Sequence, residues 1–584
     1  MKTRKLKVLK KAVVFTGLLL PAIAFAQGFL RTDGKNIVND HGSVLLRGIG
    51  LGGWVLQEPY MLELPGIART QTQIRAKINS AVSGELTGKF YDTWIKNGVT
   101  KTDIDSLSSW GFNSLRLPMH YNLFTLPVEQ ETLTGENTWL EKGFTVIDSL
   151  LAWCKSNNMY LMLDLHAVPG GQGNDIAISD ASEIKLWEND ENKKKTIALW
   201  KKIAERYARE EWIGAYDILN EPNYGFQSNE DKNGCKEEGN EALRELMIEI
   251  TTAIREVDNK HIIVISGNCW GTNYRGIFPL WDENMVISFH KYWNYNTVEE
   301  IDYMLEYREK YNAPLWLSES GENSNAWSND AIRLIESHNI GWCWWTYKKM
   351  GLSCPMQVKP VPGYEKLKKY WKGEGEKLSE KEAWEILSQL AENYKIENTV
   401  YHKDYIDALF RQVKTGETIP FKPHVLNKRK KLTIFASDYD LGRSSRAYFD
   451  KDSANYRTST NENTIWNKGL QYRNDGVDII CCDDDELSNG YCVGYIEAGE
   501  WIQYTVDVEK AGKYTFNSRI ANQDAASFYF TVNNTKTNSV QLNQAGEKKW
   551  ITRDLKNIAL KKGENVIRMY AEQGGFDISN IQIE

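Results

Sequence analysis

Beyond its first 26 residues this chain has no apolar run long enough to cross a membrane. No Gly-rich phosphate loop follows any of its apolar runs, which argues against a doubly wound nucleotide-binding sheet. Cys-x-x-Cys pairs and clustered histidines are missing, which removes the common zinc spacings. Eight cysteines spread over 584 residues are too few for a small disulfide scaffold. No internal repeat is found. Positive charge is the scarcer sign: 71 Lys and Arg stand against 78 Asp and Glu, a net charge of −7. An acidic chain of this kind argues against nucleic acid as a partner.

What is present starts with an export signal. Lys2, Arg4, Lys5, Lys7, Lys10 and Lys11 precede an apolar stretch from Ala12 to Phe25, and Ala24-Phe25-Ala26 fits a small-x-small cleavage site. No cysteine sits at the cut, so a bacterial lipid anchor is not expected. Residues 1–26 are read as a signal peptide, giving a secreted or periplasmic protein with no membrane span. Without those six basic residues 65 remain against 78 acidic, a net charge of −13. The 21 Trp and 29 Tyr suit either a sugar-binding surface or a large aromatic core. Cys154 and Cys343 lie in apolar patterns and read as buried thiols, whereas Cys481, Cys482 and Cys492 are close enough for one bridge.

Residues 29 to 48 read as a hairpin feeding a strand. Eight short apolar runs then follow: Val44–Gly50, Ser114–Met119, Tyr160–His166, Ala215–Glu221, Ile262–Gly267, Met285–Tyr292, Leu315–Glu319 and Ile340–Tyr347. Helical spacing appears between several of them, over 144–155, 193–208, 241–257, 298–311 and 330–338. Eight strands alternating with helices predict an α/β fold, a (β/α)8 TIM barrel with its site at the C-terminal strand ends. Residues 362 to 384 read as an exposed excursion, and helices over 382–394 and 405–413 close the barrel. From Leu432 the pattern changes to short alternating runs with turn punctuation, an all-β sandwich. The expected domains are therefore 27–425, a linker at 426–431 containing the basic run Lys428-Arg429-Lys430-Lys431, and 432–584.

Two glutamates end apolar runs: Glu221 in Leu219-Asn220-Glu221-Pro222 and Glu319 in Leu317-Ser318-Glu319. Paired carboxylates are what glycoside hydrolysis needs. Glu221 is read as the general acid, which requires a raised pKa from burial and a neighbouring carboxylate. Pro222 is read as ending the strand, and Asn220 as a donor or acceptor for a sugar hydroxyl. Glu319 is read as the nucleophile, about 5 Å from Glu221 in that role; Glu322 ranks lower because it lies beyond the strand. Glu58 and Asp164 are further acids at the barrel mouth, suited to binding hydroxyls or orienting neighbours. Arg116, a charge inside an apolar strand, needs a carboxylate partner such as Glu319. A single histidine ending an apolar strand is most often a core residue, but His166 and His290 both do so, which favours hydrogen bonding to substrate. Tyr292, two residues after His290, is placed to orient the nucleophile, and Trp345 to floor the sugar site. Trp342 and Trp344 read as outward core packing.

Together these residues resemble glycoside hydrolase family 5. The motifs that carry the likeness are Arg47-Gly48 with Gly52-Gly53-Trp54, Leu115-Arg116-Leu117-Pro118, Asp164-Leu165-His166, Leu219-Asn220-Glu221-Pro222, Phe289-His290-Lys291-Tyr292, Ser318-Glu319 and Trp345-Thr346. The resemblance implies Glu221 as acid/base and Glu319 as nucleophile, with Arg116, His166, Asn220, His290, Tyr292 and Trp345 around them. Within the family the exo-β-1,3-glucanases are most similar. Asn174-Asp175 and Ser318-Glu319-Ser320-Gly321 depart from their pattern. The tail resembles a jelly-roll carbohydrate-binding module of family 6, on Gly494-Tyr495-Ile496, Gly499-Glu500-Trp501-Ile502, Ala511-Gly512-Lys513-Tyr514-Thr515 and Gly574-Gly575-Phe576. Such modules sandwich a sugar between aromatics, which makes Tyr472 and Trp550 the candidates, with Asp577 as a polar contact. Many of them also hold a structural calcium ion, although Ser437 stands here where a glutamate is expected.

The resulting expectation is an exported retaining glycosidase that cleaves a β-1,3- or β-1,4-glucan. It needs no cofactor and no catalytic metal. Hydrolysis of mannan or xylan, and glycan binding by a degenerate barrel without catalysis, are the alternatives.

Overall fold

The computed structural model describes residues 27–584 except 134, 229, 428–429, 458–463 and 485. The expected signal peptide and the first two residues of the basic run lie outside the described residues. Eight parallel strands close into a barrel: β1 (Arg47–Gly50), β2 (Ser114–His120), β3 (Tyr160–Ala167), β4 (Ile213–Asp217), β5 (Ile262–Ile265), β6 (Met285–Lys291), β7 (Leu315–Gly321) and β8 (Gly341–Trp345). Each matches one of the eight apolar runs. Their residues are buried almost throughout, because one face meets the barrel interior and the other meets helices. Trp342 and Trp344 do point outward, into the cluster that also holds Phe112, Trp327 and Tyr405. Cys343 between them faces inward, with Met162, Ala215, Val264 and Trp316. Leu30, just before the N-terminal hairpin of Arg31–Asp33 and Asn36–Asn39, and Ile37 within it join that inner cluster and plug the end of the barrel away from the site.

Three helices between β1 and β2 carry no mark in the apolar periodicity above: Gln71–Ala81, Gly84–Gly98 and Lys101–Trp110. Their starts are chemically clear, since Thr70 and Ser83 accept hydrogen bonds from the amides of Gln73 and Leu86. The first two pack beside the barrel against Glu380–Asn393, in a separate apolar cluster. The stretch 362–384 is not an exposed excursion. It contains the helix Tyr364–Lys372, which buries Tyr364, Leu367 and Trp371 in that cluster while most of its lysines face water. An apolar stripe among many charges still makes an amphipathic helix, with Lys366, Lys369 and Lys372 exposed and Lys368 paired with Glu63 and Glu365. Six of the tryptophans are fully buried, among them Trp94, Trp200 and Trp316, so packing accounts for much of the aromatic content.

The C-terminal part is a sandwich of a seven-stranded and a six-stranded sheet, mostly antiparallel. Its long strands are Trp501–Val508, Gly512–Asn522, Ala526–Val532, Lys549–Leu560, Gly563–Gln573 and Phe576–Ile583. The expected linker at 426–431 needs correction. Val425–Leu426 pairs in parallel with Asp507 and Val508, and Leu426 lies in the sandwich core. The chain therefore enters the sandwich before Leu432.

Barrel and sandwich share a buried seam. Ala454, from the sandwich side, sits in the barrel's apolar cluster. Around it Asn323, Ser324, Asn325 and Asp404 meet Arg473, Asn474 and Asp475, all buried. Asp404 accepts from Asn325 Nδ2 at 2.7 Å and from the Asn474 amide at 3.0 Å. Buried polar groups are tolerable because they are paired in this way.

Candidate active site

The site begins with Arg116 on β2, whose guanidinium is 1% exposed inside the barrel. Burying that charge requires partners, and it has four. Its nitrogens lie 2.9 Å from Asp217, 2.7 Å from Glu319, 2.7 Å from Asn220 Oδ1 and 3.2 Å from Asp164. The partner expected from sequence, Glu319, is one of them. Asp217 was not singled out, although a charge between Tyr216 and Ile218 in an apolar run is the same signal that marked Arg116.

Asp164, two residues before His166 on β3, accepts from His166 Nδ1 at 2.7 Å, so of its two expected roles the structure gives it the orienting one. The other ring nitrogen of His166 lies 3.2 Å from Asn220 Nδ2. Burial lowers the His166 pKa to about 3, which keeps the ring neutral. The indole of Trp345, at the end of β8, stacks parallel to that imidazole with centroids 5.5 Å apart. Trp345 Nε1 donates to Tyr60 at 2.8 Å, and Tyr60 donates to Glu322 at 3.0 Å. Lys349 and Ser353 hold the other oxygen of Glu322 at 2.5 and 3.1 Å. Glu322 is thus tied to the wall of the site, and Tyr60 and Lys349 are wall residues that apolar periodicity does not reveal.

Glu221 does not end a strand. β4 stops at Asp217, and Pro222 therefore does not terminate it. Glu221 lies four residues further, in a loop, with φ of +42°. That left-handed backbone is uncommon for a residue with a side chain and marks a position held by its surroundings. Its carboxyl is 2.6 Å from His290 Nδ1. Burial pushes the Glu221 pKa up to about 8, helped by the charges of Asp175 and Asp164 and opposed by Arg116. Burial also lowers His290, so the pair is a protonated acid beside a neutral imidazole at neutral pH.

Glu319 lies within β7, next to a break in register against both neighbouring strands. One of its oxygens accepts from Arg116 and the other from the Tyr292 hydroxyl at 2.8 Å. Carboxylate oxygens of Glu221 and Glu319 and a ring nitrogen of His290 all lie within 4.8 Å of one another. Retaining glycosidases place their two carboxyls about 5–5.5 Å apart, whereas inverting ones need about 6.5–9.5 Å to admit a water. The pair also has unequal environments, one carboxyl kept protonated and the other gripped by donors on both oxygens. Glu58 adds a buried acid whose pKa is raised well above the usual range, by desolvation first and then by Glu319 and Glu221.

All eight expected barrel residues therefore converge on one site. The residues expected to bind glycan in the sandwich do not converge as a set. Trp550 and Asp577 flank Ala521 on adjacent strands, and Lys548 links them by a 2.5 Å ion pair with Asp577 and by lying over the indole. Tyr472 is elsewhere engaged. Its hydroxyl bonds Asp438 and Lys422, and its ring packs against Phe421 and Tyr491. Among the described residues no ring contact or hydrogen bond joins it to Trp550 or Asp577. An aromatic row not foreseen crosses the other sheet, where Phe449, Trp501, Tyr570 and Tyr529 are partners in register on four adjacent strands.

Where the resemblance implies a calcium-binding glutamate, Ser437 Oγ accepts a hydrogen bond from Asn489 and offers no carboxylate. The one set of three convergent His, Cys, Asp or Glu groups among the described residues is Glu221, His290 and Glu319 in the barrel. The expected bridge among Cys481, Cys482 and Cys492 is not formed, and all three are free thiols. The disulfide joins Cys235 to Cys269 across two loops, with Cα atoms 4.8 Å apart. These lie 34 residues apart in sequence, which is why spacing did not reveal the pair. The bridge fixes the neighbour of Trp270, whose indole donates to Asp175 at 3.3 Å.

Comparison with known proteins agrees with this geometry. Residues 75–351 match the model of Cellulase (glycosyl hydrolase family 5), and residues 470–584 match Carbohydrate binding module (family 6). A beta-xylosidase of Phanerodontia chrysosporium is 30% identical over 45% of this chain and 52% of its own length. Endoglucanase C of Acetivibrio thermocellus is 26% identical over 52% of this chain and 91% of its own. A probable glucan 1,3-beta-glucosidase A of Aspergillus niger is 26% identical over 38% and 51%. The chain thus spans about half the length of the first and third of these relatives. The barrel is thus similar to glycosyl hydrolase family 5 over residues 75–351, and the C-terminal sandwich to carbohydrate binding modules of family 6 over residues 470–584.

Proposed function

We propose that this chain is an exported, retaining β-glycoside hydrolase acting on β-glucan. The observation that carries the reading is the pair of carboxyls within 4.8 Å, with Glu221 kept protonated and Glu319 held by Arg116 and Tyr292. Glu319 attacks the anomeric carbon while Glu221 passes its proton to the departing glycosidic oxygen. The sugar is then joined covalently to Glu319. Glu221, now a carboxylate, takes a proton from water as that water attacks the same carbon, and Glu319 is released. His290, neutral and 2.6 Å from Glu221, sets the direction of the acid's oxygen. Trp345, braced by Tyr60 and stacked with His166, supplies an apolar floor for the C–H face of the sugar.

A β-glucan is favoured because an endoglucanase and a glucan 1,3-beta-glucosidase are among the similar proteins. Xylan is the second reading, supported by the likeness to a beta-xylosidase. The module supports a polymeric substrate, with Trp550 and Asp577 as its contacts. The basic and apolar segment at 1–26 supports export. Activity on a panel of β-glucans, xylan and mannan, with product lengths, separates these readings. Glu319→Ala should retain the fold and abolish hydrolysis across the panel, and near-normal turnover in that variant sinks the mechanism.

A further inference from the structure

The sandwich touches the barrel where the catalytic loops emerge. Its segment Ser453–Arg457 reaches two of them. The Arg457 amide donates to the Trp293 carbonyl at 2.7 Å. Asn323 exchanges two bonds with Asn455, giving Nδ2 to its carbonyl at 2.7 Å and taking its amide at 2.9 Å. Ser324 Oγ donates to the Ser453 carbonyl at 2.6 Å. From the neighbouring turn, Asn474 Nδ2 donates to the Asn323 carbonyl at 2.8 Å, and the Asn325 amide donates to the Asn474 carbonyl at 2.9 Å.

Both gripped loops hold the nucleophile. Trp293 directly follows Tyr292, whose hydroxyl bonds Glu319, and Asn323 comes four residues after Glu319 itself. Each loop contains a side-chain-bearing residue in the left-handed region, Trp293 at φ +53° and Glu322 at φ +51°. Such backbone costs free energy and persists only where neighbouring contacts over-determine it. The two are cross-linked, Trp293 Nε1 donating to the Glu322 carbonyl at 3.1 Å. The Glu322 side chain continues through Tyr60 to Trp345, the floor of the site. A docking contact that served only to attach two domains would not need to end on these two strained loops.

We propose that the module is a clamp on the catalytic loops: Ser453–Arg457 and Asn474, acting through Asn323–Asn325 and Trp293, position Tyr292, Glu319 and Glu322. Asn323 and Asn474 are positioning residues, since neither reaches the reacting atoms. The proposal rests on Glu319 being the nucleophile of the proposed function. It gives the module a part in the chemistry of substrates too small to touch its glycan-binding face.

The test uses the full chain with N323A and, separately, N474A, each checked for folding by thermal unfolding. Hydrogen exchange is followed in peptides spanning 292–294 and 321–325. Turnover is measured on a soluble aryl β-glucoside. The clamp predicts faster exchange in both loops and a kcat lowered at least fivefold, with KM moved less than threefold. Exchange unchanged in both variants overturns it, as does faster exchange with kcat untouched. Should the wild-type chain be inert on the aryl glucoside, the glycosidase reading is what suffers, and the exchange comparison alone decides the clamp.

Discussion

At the scale of single residues, the site separates two chemically identical side chains by their surroundings. Glu221 is buried beside a neutral histidine, with Asp175 and Asp164 nearby, and its pKa rises to about 8. Glu319 instead faces a guanidinium and a phenol. An acid catalyst works only in its protonated form, so the sign of the pH dependence follows. On an aryl glucoside with a poor leaving group, kcat/KM should lose Glu221's contribution as pH rises through about 8, falling roughly tenfold per unit beyond it. Glu221→Gln should be slower by about 10²–10⁴-fold and should lack that basic limb. A basic limb unchanged in the variant assigns the proton to another group. Arg116 keeps the arrangement possible, because Asp164, Asp217 and Glu319 around one cation are tolerable where three unpaired carboxylates would not be.

At the scale of elements, β7 carries Glu319 to a crowded turn. Gly321 lies against the end of β8, and a Cβ there would meet the Trp345 carbonyl oxygen at 2.0 Å. The obstacle is backbone and cannot rotate away. Gly321→Ala should therefore destabilise the barrel by about 1–3 kcal/mol, the cost of overpacking a full core. It should also reduce activity more than its stability loss explains, because the shift falls two residues from Glu319. Unchanged melting temperature and turnover would show that the turn yields freely. The eight strands were legible in sequence because each is a buried apolar run, and residues such as Arg116 and Glu319 stand out against that background. The helices between β1 and β2 were not, since 71–110 mixes polar and apolar residues and announces its helices by Thr70 and Ser83 caps. Glu221 was legible as a site residue but not as a loop residue. The run continues apolar through Ile218 and Leu219 after the pairing with β5 has ended at Asp217.

At the scale of the whole molecule, long-range connections do what periodicity cannot show. The disulfide closes a loop of 34 residues that begins at Cys235, in the segment after Glu221, and ends beside Trp270. In the chain-entropy account a loop of that size stabilises the fold by about 3–4 kcal/mol. Cys235→Ser should lower the unfolding free energy by up to that amount and loosen the Trp270–Asp175 wall. Equal stability in the presence and absence of reductant would show that packing alone holds those loops. The seam with the sandwich is a second such connection, built from asparagines and aspartates that look like surface residues in sequence. Nothing in the local pattern of Asn323 or Asn474 distinguishes a buried lock from a solvated turn. Tyr472 shows the converse, an aromatic that fits a binding role by motif but has its hydroxyl and ring occupied by the protein itself.

The claim beneath all of these is that two carboxyls within 4.8 Å work by double displacement at one carbon. The anomeric configuration of the first sugar released from a soluble β-glucan oligosaccharide, followed by proton NMR before mutarotation, reads that claim directly. The account predicts the β anomer first, with the α anomer appearing only as solution equilibrium is approached. An α anomer formed first would mean inversion by a single displacement, and would contradict the roles given to Glu221 and Glu319.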